Sequence, residues 1–310
     1  MKRRSFAILT IALLLVPIIM ACAEQKNIRV NNRVSFSEVK PVTYHYIKKA
    51  ALVLKKTATT PFRQQMENLY LDALAQEILK KTGSLVLETY QDQQLPDFLR
   101  SADPFATAES RTSVLSKARL QGYFALIEGR VINVSTEQKT TGIFWFRKVR
   151  YFLTVTLSVD VYDPVTSAKY ASLVQSETVK IKSGQYDDFK RGGQNPIAEL
   201  NEAIADLSET LGEEAADAVI ENPWMTSIVQ VQNGQVILGT GPASKLGKGD
   251  LLTVFEGRQK EQGSDGQIYT IPGYKVAEIK IAGFTGNAAF ANLPSNADIQ
   301  PGDIVVRVEQ

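Results

Sequence analysis

Four places in the chain carry residue types that chemistry could use, and each lacks the necessary spacing or partners. His45 is the only histidine among 310 residues. That excludes His-pair zinc sites and leaves no imidazole to activate a serine; flanked by Tyr44 and Tyr46, it reads as a strand or packing residue. Residues 239–249 (GTGPASKLGKG) have the glycines and lysines of a phosphate loop. That motif needs glycine, four residues, then Gly-Lys-Ser/Thr opening a helix whose N-terminus holds the phosphate. Here Pro242 takes the first glycine position, Gly249 takes the hydroxyl position, and an apolar strand pattern follows, so the segment reads as a turn. Asp187-Asp188 lies in an expected polar loop beside Lys190-Arg191, and Glu213-Glu214 lies on the polar side of a helical pattern; both pairs read as solvated. No set of groups supports catalysis, so the expectation is a protein that is not an enzyme and has no cofactor, metal or nucleotide.

The remaining reactive group is the single cysteine, Cys22. Lys2, Arg3 and Arg4 precede an apolar run from Phe6 to Met20, interrupted by Thr10 and Pro17. A bilayer span needs about 20 apolar residues; this shorter run fits the core of a secretory signal. Residues 1–21 therefore read as a signal peptide and the chain as exported, to the periplasm and the outer membrane. Ile19-Met20-Ala21-Cys22 resembles the bacterial lipobox, in which the cysteine is acylated and each buried methylene adds about 0.8 kcal/mol of membrane affinity. Ala23 after the cysteine resembles the pattern that sorts lipoproteins to the outer membrane. Ala21-Cys22-Ala23 equally fits an A-x-A cut that releases a soluble protein starting at Glu24. Both outcomes stay open, and neither permits a disulfide. The whole chain has a formal charge of +2; the signal carries three cations and no anion, leaving −1 for residues 22–310. Nucleic acid is therefore not an expected partner.

The elements that must position any site fall into two domains after a polar tether over residues 22–40. Residues 41–222 interleave strand and helix patterns. A short apolar strand is predicted over 50–55. Thr60-Pro61 opens a helix with Met66, Leu69, Tyr70, Ala73, Leu74 and Ile78 as its apolar stripe, and Gly83 stops it. Residues 84–90 form a strand, 109–120 a second helix closed by Gly122, and 123–134 a further strand. Residues 149–163 alternate cleanly, with Val149, Tyr151, Leu153, Val155, Leu157, Val159 and Val161 on one side. Another strand covers 169–181, and a last helix starts at Asn195-Pro196. The pattern predicts an α+β fold: a mixed α/β sandwich with helices on one face of a mostly antiparallel sheet. Residues 223–310 show short strands (228–232, 235–238, 251–255, 275–281, 304–309) and glycine-rich turns, the pattern of a small all-β barrel. Asn233-Gly234 marks a two-residue hairpin. A phrase recurs in Gly247-Lys248-Gly249-Asp250 and Gln300-Pro301-Gly302-Asp303, each before an apolar strand. Glycine there supplies a positive-φ turn residue, and aspartate bonds neighbouring backbone.

The order of these residues also resembles known families. Pro61-Phe62, Lys80-Lys81-Thr82-Gly83, Ser84–Tyr90, Ala118–Phe124, Ile127–Val131 and Val159–Asp163 are similar to the periplasmic domain of the curli secretion subunit. The same domain type resembles the middle domain of flagellar assembly protein T and the N-terminal domain of the Tol system's β-propeller protein. Residues 223–310, with Gly239-Thr240-Gly241 and the two Gly-Asp turns, resemble the C-terminal domain of flagellar assembly protein T. The N-terminal domain of that family has no counterpart here. The resemblance implies a homo-oligomeric ring around the outer-membrane part of the flagellar basal body, with the sandwich making lateral contacts and the barrel meeting an axial partner. Two other classes stand beside it: an oligomeric outer-membrane secretion channel, and a lipoprotein activator of a cell-wall synthase.

One segment fits none of these structural roles. The expected hairpin tip at 141–148 (TGIFWFRK) places Phe144, Trp145 and Phe146 between Lys139 and Arg147-Lys148, where a solvated turn would be polar. Either the three aromatics pack on helices of their own domain, or they form an exposed patch for a neighbouring subunit or a bilayer interface.

Overall fold

The computed structural model describes residues 34–43, 45–54, 61–89, 96–100, 105–193 and 197–309. The signal peptide, Cys22, most of the expected tether, Tyr44, Thr60 and the Asn195-Pro196 helix start lie outside these residues. Strand β1 (Lys48–Leu54) is apolar at every position from Ala50 to Leu54, and all five are buried. Such a continuous run belongs in the middle of a sheet covered on both faces. β1 pairs in parallel with β2 (Leu85–Thr89) on one side and with β3 (Ala125–Thr141) on the other. β3 then pairs with β4 (Lys148–Tyr162), and β4 with β5 (Lys169–Ile181), in two long antiparallel ladders. The sheet order is β2-β1-β3-β4-β5. The fold is α+β, a mixed sandwich followed by a closed barrel.

Helices α1 (Pro61–Lys81) and α4 (Ala198–Glu221) cover one face of the sheet. On α1 the buried stripe is Met66, Tyr70, Leu71, Leu74 and Ile78, whereas Leu69 is exposed. Helix α2 (Ala108–Leu120) covers the opposite face beside β1, burying Val114, Leu115 and Ala118 against Ala51, Val53 and Leu126. The helices therefore lie on both faces of the parallel half, as the two-sided burial of β1 demands. The antiparallel half keeps one open face. There Thr154 pairs with Thr178 at 2.9 Å and Thr156 with Ser176 at 3.0 Å. Helix α3 (Ser183–Lys190) occupies the segment expected to be a polar loop at Asp187-Asp188. Its Tyr186 and Phe189 pack on the core, a tertiary contact that a local polar composition conceals.

Six strands close the barrel in the order β11-β12-β7-β6-β13-β8. They are β6 (Met225–Gln232), β7 (Gln235–Leu238), β8 (Leu251–Phe255), β11 (Lys275–Thr285), β12 (Ala288–Asn292) and β13 (Ile304–Val306). A separate hairpin, β9 (Gln259–Gln262) and β10 (Ile268–Ile271), docks through Thr270 N–H on the Thr166 carbonyl at 2.8 Å. β9, β10 and β12 have no strand pattern that stands out in the chain: QKEQ is fully polar, IYTI is only four residues long and AAFAN is alanine-rich. The recurrent phrase builds the same turn twice. Asp250 accepts the Gly247 N–H at 2.8 Å, and Asp303 accepts the Gln300 N–H at 2.9 Å. Gly249 and Gly302 take φ of +97° and +94°. Gly83, by contrast, sits in an open turn outside the left-handed region, and an added Cβ would meet nothing within 4 Å.

Residues 35–310 form one compact unit. The last part of the expected tether is not loose: Phe36 stacks edge-on against Phe255 at 5.1 Å and its N–H reaches the Gly273 carbonyl at 3.1 Å. An apolar side chain at 36 and another at Val39 tie residues 35–40 to the barrel. Between sandwich and barrel lies Tyr46, whose ring is 4.6 Å from that of Trp224. Its hydroxyl donates to Asp250 at 3.0 Å and accepts from Arg307 at 3.1 Å. Burial pushes that phenol up to about 12. Lys48, also buried, donates to the carbonyls of Val219 (2.9 Å), Ile220 (2.6 Å) and Asn222, and so caps the C-terminal end of α4.

Candidate interaction site at the β3–β4 hairpin

The β3–β4 ladder runs without a break in pairing partner from Leu126↔Tyr162 to Thr141↔Lys148, apart from one register shift near Ile132. Its lower half is core: Leu153, Val155, Leu157, Val159 and Val161 are fully buried beneath α1 and α4. The expected apolar face ends there, because Tyr151 is half-buried and Val149 is exposed. Pairing of β4 with β5 stops at Tyr151↔Ile181. Three further β3–β4 pairs and the tip project beyond it, so the free spur is about 10 Å long at 3.4 Å per residue. Helix α3 braces its base through Tyr186, whose ring lies 4.8 Å from that of Tyr151.

The tip itself is a tight, specified turn. Gly142 has φ +109°, and a Cβ there would lie 2.3 Å from the Phe146 carbonyl oxygen, so glycine is required. Residues 144–146 form one 3-10 turn, closed by the Phe146 N–H on the Ile143 carbonyl at 3.1 Å. Phe144 has φ +50°, a conformation that costs a non-glycine residue about 1–2 kcal/mol. That geometry turns the side chains outward: Ile143, Phe144, Trp145 and Phe146 are 73%, 74%, 86% and 75% exposed. The aromatics thus do not pack on their own domain. Burying one such side chain is worth about 1.5–3 kcal/mol, so the tip holds several kcal/mol of unmade contact. Around it stand Lys139, Arg147, Lys148 and Arg150, all exposed, and one carboxylate, Glu137, which pairs with Lys139 at 3.0 Å.

The other sequence candidates are dispersed. His45 is exposed with its ring on Tyr46 at 4.7 Å, and Glu213-Glu214 faces solvent. Residues 239–249 lead into strand β8 through a 3-10 turn at 242–244. Among the described residues no three His, Cys, Asp or Glu side chains are grouped to hold a metal. Sequence reasoning missed a cleft of about 350 Å³ between the edge of the sheet and the barrel, lined by Lys49, Glu88, Phe124, Trp224, Ser244 and Asn287. Lys49 and Glu88 pair there at 3.0 Å, and Tyr123 also donates to Glu88. Its charges are thus mutually satisfied. No local pattern signals it, because its walls come from segments far apart in the chain.

Fold and site together define an α+β protein with a closed six-stranded barrel and one solvent-facing aromatic hairpin. No family model and no curated protein matches the chain, so the likeness to flagellar assembly protein T remains one of residues. Solved structures with which it aligns include a minor lipoprotein from Acinetobacter baumannii (10% identity, 55% of this chain and 92% of that one, TM-score 0.27). Another is a homologue of neuraminyllactose-binding hemagglutinin from Helicobacter pylori (11%, 58% and 95%, TM-score 0.34). A third is a PelC dodecamer from Paraburkholderia phytofirmans (13%, 61% and 100%, TM-score 0.28). At such TM-scores these likenesses carry no argument, and the architecture rests on the strand order and registers above. Among the described residues no helix is long and apolar enough to cross a membrane.

Proposed function

We propose that this chain is an exported, non-enzymatic assembly protein of a bacterial envelope, which works by contact rather than by chemistry. The observation that carries this reading is the rigidly built hairpin tip, with four large apolar side chains turned to solvent. A soluble surface rarely leaves such a group uncovered unless it meets a partner. The order of the two domain types supports a more specific role, a homo-oligomeric ring around the outer-membrane part of the flagellar basal body, held at the membrane through Cys22 if that residue is acylated. For a secretion channel the spur is short: a spanning strand needs about 9–11 residues, and only three residue pairs project beyond β5. The test is a deletion strain viewed by electron cryotomography, with flagella counted. Loss of basal-body ring density or of flagella is expected. Intact basal bodies would remove the ring role and leave oligomer size to separate a channel from a monomeric activator of a cell-wall synthase.

A further inference from the structure

We propose that the Ile143–Phe146 tip seats in the interfacial layer of a lipid bilayer whose headgroups are anionic. This rests on the tip being a contact surface and names its partner. Three features of the tip select lipid. The first is shape: the apolar group crowns a two-stranded ribbon, four residues wide. A stable interface with a second copy takes about 800 Å² from each side, more than such a tip offers, whereas lipid accommodates any outline.

The second is charge. Lys139, Arg147, Lys148 and Arg150 ring the apolar crown with Glu137 as the one carboxylate beside them, although residues 22–310 as a whole are slightly acidic. Localised cations next to aromatic side chains match an anionic headgroup layer. The third is backbone. Peptide groups of a turn cannot enter the hydrocarbon unsatisfied, but at headgroup depth water and phosphate remain available. Tryptophan prefers that same depth. The tip therefore enters shallowly, and the brace of α3 against Tyr151 presents it pre-formed.

The two tryptophans make this measurable, since Trp145 is at the tip and Trp224 is buried. The protein purified as the cell produces it is mixed with vesicles of phosphatidylcholine, or of phosphatidylcholine with phosphatidylglycerol, some carrying bromine high on the acyl chains. Expected are a blue shift of tryptophan emission and quenching by the brominated lipid, stronger with phosphatidylglycerol. Trp145→Phe should lose both while keeping the Trp224 emission of the folded protein, and Arg147→Gln with Lys148→Gln should lose the preference for phosphatidylglycerol. Emission that stays solvent-like and unquenched on both vesicle types would overturn the proposal. A blue shift on raising protein concentration without vesicles would overturn it as well, assigning the tip to a second copy. If the deletion strain loses its rings while Trp145 stays unquenched, the assembly role stands and the lipid contact falls.

Discussion

Trp145 and Trp224 occupy opposite extremes of one molecule, at 86% and 2% exposure. Trp224 follows α4 and enters the barrel, and its ring is locked against Tyr46, which is itself tied to Asp250 and Arg307. Trp145 crowns a spur whose backbone is as closely specified but whose side chains touch little besides each other, Phe144 lying 5.9 Å away. The same residue type thus serves cohesion in one place and presentation in the other. The difference lies in what surrounds the ring, not in the local order of the chain.

The comparison breaks most readily at the junction. Trp224→Ala should destabilise the fold by about 3–5 kcal/mol, as for other large buried aromatics, read as a lower denaturant midpoint. A loss under 1 kcal/mol would mean that sandwich and barrel hold together without it. Per pH unit a smaller effect is expected from Lys48, which burial pushes down to about 7 from an ordinary 10.5. Between those values the unfolded chain binds the extra proton, so stability should rise with pH from about 7 to 10.5, and fall as pH drops back through 7. The slope from one such group is at most about 1.4 kcal/mol per pH unit. Lys48→Met should flatten the profile over that window, and an unchanged slope would place the titration elsewhere. The smallest effect sharpens the contrast: Phe144→Ser with Trp145→Ser and Phe146→Ser should shift stability by no more than about 0.5 kcal/mol, as for exposed positions generally. A large loss would show that the tip packs on something within the protein.

Much of this was legible from the chain. The alternation over Val149–Val161 announced β4, and Lys169–Ile181 is β5 to the residue. The two Gly-Asp phrases mark matching barrel turns because short-range backbone bonding is local and leaves a local trace. What escaped was non-local. Helix α3 looks like a loop until Tyr186 meets Tyr151, β9 is polar at all four positions, and β10 is an apolar run of only four residues that needs its partner to become a strand. The arm at 35–40 reads as polar until Phe36 finds Phe255.

The site divides along the same line. By itself the sequence determined that Phe144, Trp145 and Phe146 sit among cations in a turn, since adjacency and turn propensity are properties of the chain. It could not tell a buried cluster from a presented one, because both have the same composition and both satisfy the hairpin. Only the tertiary structure decided that. β5 stops pairing at Tyr151 and α3 braces the spur at its base, so the tip rises past every helix that could have covered it.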